Sequence, residues 1–131
     1  MKQFALALAL VLALYTPSFA QEEITTVSAE QFARLMDSVD TYQLVDVRTV
    51  AEFEEGHIPG AVQYDVNGEQ FEHQISKLDR NRPVLLYCRT GKRSYRAAAH
   101  LKEKGFREII NLDGGITSWQ AKGYDVQYDE Q

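Results

Sequence analysis

The run Val84-Leu85-Leu86-Tyr87-Cys88 limits the folds open to this chain more than any other stretch. Four apolar residues without polar alternation suit a strand buried on both faces, the kind found in parallel sheets covered by helices. Arg89-Thr90-Gly91-Lys92-Arg93 follows at once, and Ser94 to Lys104 then reads as a helix closed by Gly105. The unit is strand, loop, helix, with Cys88 at the end of the strand.

The remaining chain repeats that alternation and predicts an α/β layer fold. Ile24 to Val27 reads as a first strand, and Ser28-Ala29-Glu30-Gln31 as a capping box opening a helix with Phe32, Leu35, Met36 and Val39 on one face. Leu44 to Val47 is a second strand, its end charged by Asp46 and Arg48. A helical turn over Ala51 to Glu55, a turn at Ile58-Pro59-Gly60 and a short strand over Ala61 to Tyr64 come next. Asn67 or Gly68 is expected to open a helix with Phe71, Ile75 and Leu78 inward. Phe106 to Asn111 reads as the last central strand, Ile116 to Lys122 as a helix ended by Gly123, and Tyr124 to Tyr128 as an edge strand. No internal repeat is visible.

Residues 1–20 read as an export signal: Lys2 is the positive start, Phe4 to Leu14 the apolar run, and Ser18-Phe19-Ala20 a cleavage site. The apolar run is too short to span a bilayer. Cleavage before Gln21 is expected, leaving one domain over residues 21–131 in the periplasm or outside the cell, monomeric and without a membrane partner. The whole chain carries a formal charge of −5, and losing Lys2 makes it one unit more negative. That balance speaks against nucleic acid as a partner.

Exported proteins usually carry cysteines in pairs, yet Cys88 is the only cysteine. A disulfide framework, a Cys-x-x-Cys pair and a multi-cysteine zinc site are excluded. His73 and His100 have no metal-ligand spacing and read as surface residues, and no metal or cofactor is called for. His57, before Ile58-Pro59-Gly60, reads as a turn residue rather than a base for Cys88. A buried inert thiol or a reactive one remains. Arg89, Lys92 and Arg93 favour the reactive one: cations, loop amides and the positive end of the following helix all stabilise a thiolate. Gly91 permits the tight loop, and the same cradle would hold an anionic substrate.

The segment Cys88-Arg89-Thr90-Gly91-Lys92-Arg93-Ser94 resembles the active-site loop of single-domain rhodaneses. Asp46-Val47-Arg48, Glu52-Phe53, Gly56-His57-Ile58-Pro59-Gly60-Ala61 and Asp113-Gly114-Gly115 followed by Trp119 match that family in order, over roughly Ile24 to Tyr128. The resemblance implies a three-layer fold, a five-stranded mostly parallel sheet with helices on both faces. It implies a sulfurtransferase with Cys88 as persulfide carrier, thiosulfate as a donor anion, and cyanide or a thiol as acceptor. Arg89, Thr90, Gly91, Lys92 and Arg93 would bind substrate, with Ser94, Asp46 and Arg48 supporting the loop. By the same resemblance Asp46 and Arg48 act through hydrogen bonds and an ion pair with Glu52 or Glu54. Arg93 stands where some thiosulfate enzymes of the family carry a small hydroxyl residue.

Two other functions share such a loop. Cysteine-dependent phosphatases and arsenate reductases of related fold use a cysteine and an arginine in an anion-cradling loop; the phosphatase loop is one residue longer than the six from Cys88 to Arg93, and a phosphatase needs a general acid that this loop lacks. A non-catalytic sulfide-sensing or binding module would use the same residues, although such modules commonly lack the cysteine.

Overall fold

The computed structural model describes residues 23–129, so the expected export signal lies outside the described residues. Five strands, β1 (Ile24–Val27), β2 (Gln43–Asp46), β3 (Val62–Gln63), β4 (Val84–Tyr87) and β5 (Ile109–Leu112), alternate with five helices. These are α1 (Ala29–Ser38), α2 (Val50–Glu54), α3 (Phe71–Ile75), α4 (Lys92–Glu103) and α5 (Gly115–Ala121). The sheet runs β1-β5-β4-β2-β3 with every pair parallel. The apolar run that predicted a doubly covered strand is the middle one, and Cys88 leaves it at the carboxyl edge.

Successive β4 side chains face opposite layers, as the pleat requires. Val84, Leu86 and Cys88 pack with Phe71 and Ile75 of α3 and with Ala97, Ala98 and Leu101 of α4. Leu85 and Tyr87 pack on the other side with Phe32 of α1 and Ile116 and Trp119 of α5. The helices therefore lie on both faces, as expected. Ser28 caps α1 with a complete capping box, as the sequence predicts.

Several boundaries differ, each for a local reason. α3 starts at Phe71 because the Asp65 carboxylate accepts from the Asn67 amide at 2.9 Å, and this turn replaces the expected helix start at Asn67 or Gly68. Phe106 is not in the last strand. Its amide donates to Leu101 O at 3.2 Å while that of Gly105 donates to Lys102 O at 3.1 Å, the double bond pattern that closes a helix at a left-handed glycine. Tyr124 to Tyr128 does not form the expected edge strand: a single antiparallel bridge joins His57 and Gln127. Tyr124 instead stacks toward Trp119, whose indole donates to Asp125 O at 2.8 Å. α4 begins at Lys92, so Lys92 and Arg93 lie inside its first turn.

Candidate active site

Cys88 is buried, and its sulfur lies against the start of α4. The Gly91 amide donates to Sγ at 3.1 Å and the Ser94 hydroxyl at 3.4 Å. Gly91 reaches this position with φ of +107°, a conformation that favours glycine. Its carbonyl is turned the other way, accepting in a longer contact from Asn111 Nδ2 at 3.5 Å and lying 3.2 Å from Ser94 Oγ, where it competes with Sγ for the single hydroxyl proton. Amides thus face the sulfur while the carbonyl is held inside. Burial pushes the Cys88 thiol up, but hydrogen bonds from the Ser94 hydroxyl and from the amides of Ser94, Gly91 and Thr90 outweigh it. The net effect is a thiol held below its ordinary value. Those amides are orphan donors at a helix N-terminus.

α5 fixes the other side of the loop. The Ile116 amide donates to Cys88 O at 2.9 Å and that of Thr117 to Arg89 O at 3.2 Å. Gly115 makes the approach possible: a Cβ there would stand 2.4 Å from Cys88 O and 2.5 Å from the Arg89 carbonyl. The turn expected at Gly114-Gly115 is therefore a buttress for the cysteine loop. Asn111 Oδ1 beside it is buried without a hydrogen bond among the described residues.

The expected cations divide into two groups. The side chains of Arg89, Thr90 and Lys92 are exposed at the rim. Arg93 turns to α2, where Nη1 and Nη2 contact both Glu52 oxygens at 2.7 and 2.8 Å. Chiefly through the Arg93 hydrogen bond, the Glu52 carboxyl is pulled down to about 2. Its charge and that of Arg93 offset each other.

Asp46 and Arg48 pair with each other beneath the loop, which corrects the expected ion pair with Glu52 or Glu54. Arg48 Nε donates to Asp46 Oδ1 at 2.9 Å and Nη2 to Oδ2 at 2.7 Å, and Nη2 also donates to Gly56 O at 2.8 Å. Tyr87 is fully buried, and its hydroxyl accepts from the Ile58 amide at 2.9 Å. Burial and the Asp46 charge push its phenol up. β4, the Ile58 turn and the Asp46–Arg48 pair thus form one support.

His57 stacks on Phe53, ring centroids 3.7 Å apart, and its Nδ1 lies 3.0 Å from Phe53 O. It is a turn residue, as read from its setting. His73 is exposed, whereas His100 is half-buried with Nδ1 2.9 Å from Glu72. Among the described residues no cluster could hold a metal ion. Sequence reasoning missed Tyr87, Asn111 and the Glu52–Arg93 pairing. Glu52 was visible in the Glu52-Phe53 motif, but nothing in the order of residues joined it to Arg93.

A family model described as Rhodanese-like domain matches residues 28–122. The chain is 33% identical over 103 residues to a sulfurtransferase of Allochromatium vinosum, covering 79% of this chain and 94% of that protein. It is 38% identical over 84 residues to the thiosulfate sulfurtransferase GlpE of Shewanella oneidensis, covering 64% and 81%. The crystal structure of a rhodanese-related protein from Thermoplasma volcanium matches with a TM-score of 0.70 at 24% identity, over 80% of this chain and 99% of that one. The parallel five-stranded sheet, the cysteine loop after its central strand and these matches agree: the chain belongs to the rhodanese-like domain family.

Proposed function

We propose that this protein is an exported sulfurtransferase that carries a sulfane sulfur on Cys88. The observation that carries the reading is the donor set on Sγ, with the Gly91 amide at 3.1 Å and the Ser94 hydroxyl at 3.4 Å. It favours a thiolate as nucleophile and, after sulfur transfer, an anion one atom longer. With thiosulfate, the Cys88 thiolate attacks the outer sulfur, the sulfur–sulfur bond breaks, and sulfite leaves with the bonding pair. Arg89 and Lys92 at the rim attract the donor anion and offset the leaving charge. Cyanide or a thiolate then attacks the outer sulfur of the persulfide and returns Cys88 as thiolate. The chemistry uses no metal or cofactor, and the monomer is the working unit.

Phosphatase chemistry fits these residues poorly. Glu52 is the carboxylate tied to the loop, and a group that ionises at about 2 holds no proton for a leaving group at neutral pH. Intact-mass measurement after thiosulfate treatment tests the proposal. A gain of one sulfur atom that cyanide removes, and that Cys88→Ser abolishes, is the expected result. An unchanged mass overturns it.

A further inference from the structure

Asn111 is a polar side chain on an apolar stripe. In the register of the sheet it lies beside Leu86, on the face that α4 covers, and two positions after Ile109 on that same face. It is only 3% exposed, its Oδ1 is buried with no hydrogen bond among the described residues, and its Nδ2 contacts Gly91 O at 3.5 Å. Turning the amide over would set Oδ1 against that carbonyl, acceptor against acceptor, so the donor faces Gly91. An unpaired buried oxygen disfavours the fold, and a leucine of similar size would remove it. Core stability therefore gives no reason for the amide, and its reason lies in what Nδ2 does at Gly91.

Gly91 O has more donors in reach than lone pairs to serve them, since a carbonyl oxygen has two. The Tyr95 amide, closing the first turn of α4, takes one at 3.2 Å. The Ser94 hydroxyl at 3.2 Å and Asn111 Nδ2 at 3.5 Å contend for the other. The hydroxyl has a single proton and a second acceptor in Cys88 Sγ at 3.4 Å. With Asn111 on the carbonyl that proton is free for the sulfur; without Asn111 the carbonyl competes for it. We propose that Asn111 is a positioning residue for Cys88: its Nδ2 satisfies the Gly91 carbonyl and so releases the Ser94 hydroxyl to the thiolate. This rests on the sulfurtransferase reading and deepens it, because that thiolate is the nucleophile that takes the sulfur. The charged groups around the sulfur are separate from this exchange. Arg93 of α4 is held by Glu52 of α2, with Asp65 also acting on it, Arg89 and Lys92 project to solvent, and Asp46 and Arg48 pair beneath the loop.

Asn111→Leu, Ser94→Ala and the double variant, each in the full chain, test the proposal. Alkylation of Cys88 by a neutral reagent reports the thiolate without sulfur transfer. Asn111→Leu should slow it about threefold at neutral pH and move its profile to higher pH, the worth of a partly lost hydrogen bond. In the Ser94→Ala background the same substitution should change the rate less than about 1.5-fold, since no hydroxyl is left to release. Thiosulfate loading at saturation should slow by the same factor as alkylation, with KM changed less than about twofold. Asn111→Leu should melt at or above the wild-type temperature, because the unpaired oxygen is gone. If the leucine variant does not fold, Asn111→Val, smaller and equally without a donor, carries the same expectations for rate. An unchanged alkylation profile, or an equal shift with and without the Ser94 hydroxyl, overturns the role of Asn111 alone. Wild-type Cys88 that alkylates readily yet takes no sulfur from thiosulfate overturns the sulfurtransferase reading instead.

Discussion

Glu52 on α2 grips the guanidinium of Arg93 on α4 with both carboxylate oxygens, at 2.7 and 2.8 Å, across 41 positions of sequence. A cation in the first turn of a helix opposes the helix dipole, and here a carboxylate from another element offsets it. The pair also clips α2 to the edge of the cysteine loop. Arg93 therefore contributes less free positive charge to Cys88 than its place in the sequence suggests.

Removing one partner of this clip should cost stability. Both side chains are about one quarter exposed, so solvent screening limits the pair to about 1 kcal/mol. Arg93→Ala and Glu52→Gln should each lower the melting temperature by a few degrees. Glu52 ionises at about 2 in the folded chain against an ordinary 4.5. Its contribution is therefore complete above pH 4.5 and lost as pH falls through about 2. Acid titration of the wild type should show a loss of stability in that window that Glu52→Gln lacks. Identical acid profiles would remove the ion pair from the account.

The frame of the fold was legible because its signals are local. The unbroken apolar run over Val84 to Tyr87, the capping box at Ser28 and the glycine at 105 each state their element within a few residues. Cys88 and its loop were legible for the same reason. What the sequence did not show was pairing across distance. Arg48 has Asp46 two positions away and Glu52 four positions away, and composition cannot choose between them. The pleat decides it by holding the Asp46 carboxylate beneath the loop. Tyr87 reads as core because its ring is core; its hydroxyl matters only once β4 lies beside β2 and the Ile58 turn.

Gly115 should tolerate no side chain. Its φ is +56°, and a Cβ would stand 2.4 Å from Cys88 O, so Gly115→Ala must push the cysteine loop away or unwind the start of α5. A loss of about 2–4 kcal/mol and a marked fall in Cys88 reactivity are expected. Gly123 provides the comparison, with φ of +79° and nothing within 4 Å of a Cβ. Gly123→Ala should cost only the backbone term, about 1 kcal/mol. Similar melting temperatures for the two variants would contradict the close approach.

The buried pair beneath the loop should be far more sensitive than the clip above it. Asp46 is fully buried and Arg48 nearly so, and truncating Asp46 leaves a guanidinium without its counter-charge. Asp46→Ala is expected to cost about 3–5 kcal/mol. Tyr87→Phe removes the acceptor of the buried Ile58 amide, for about 1–3 kcal/mol. Denaturant unfolding of the two variants would measure both losses, and a cost under about 1 kcal/mol for Asp46→Ala would mean that water replaces the carboxylate.

Ser94→Ala tests what lowers the Cys88 thiol. Ser94 is fully buried, and its hydroxyl and amide both act on Sγ, whereas Arg89 and Lys92 project to solvent. The hydroxyl is the largest of the groups that stabilise the thiolate against burial. Without it the amides of Ser94, Gly91 and Thr90 remain, and the thiol should rise without reverting to an inert buried group. The rate of alkylation against pH should therefore shift to higher pH in Ser94→Ala, and reaction at neutral pH should slow by about tenfold, the worth of one charge-assisted hydrogen bond. Sulfur loading from thiosulfate should slow with it, because the same thiolate is the nucleophile. Removing both rim cations, as Arg89→Gln with Lys92→Gln, should act differently. The alkylation profile with a neutral reagent should move little, while the dependence of thiosulfate loading on salt should flatten, since exposed charges act on approach and are screened. A large alkylation shift in the rim variant and none in Ser94→Ala would assign the activation of Cys88 to the cations instead of the hydrogen bonds.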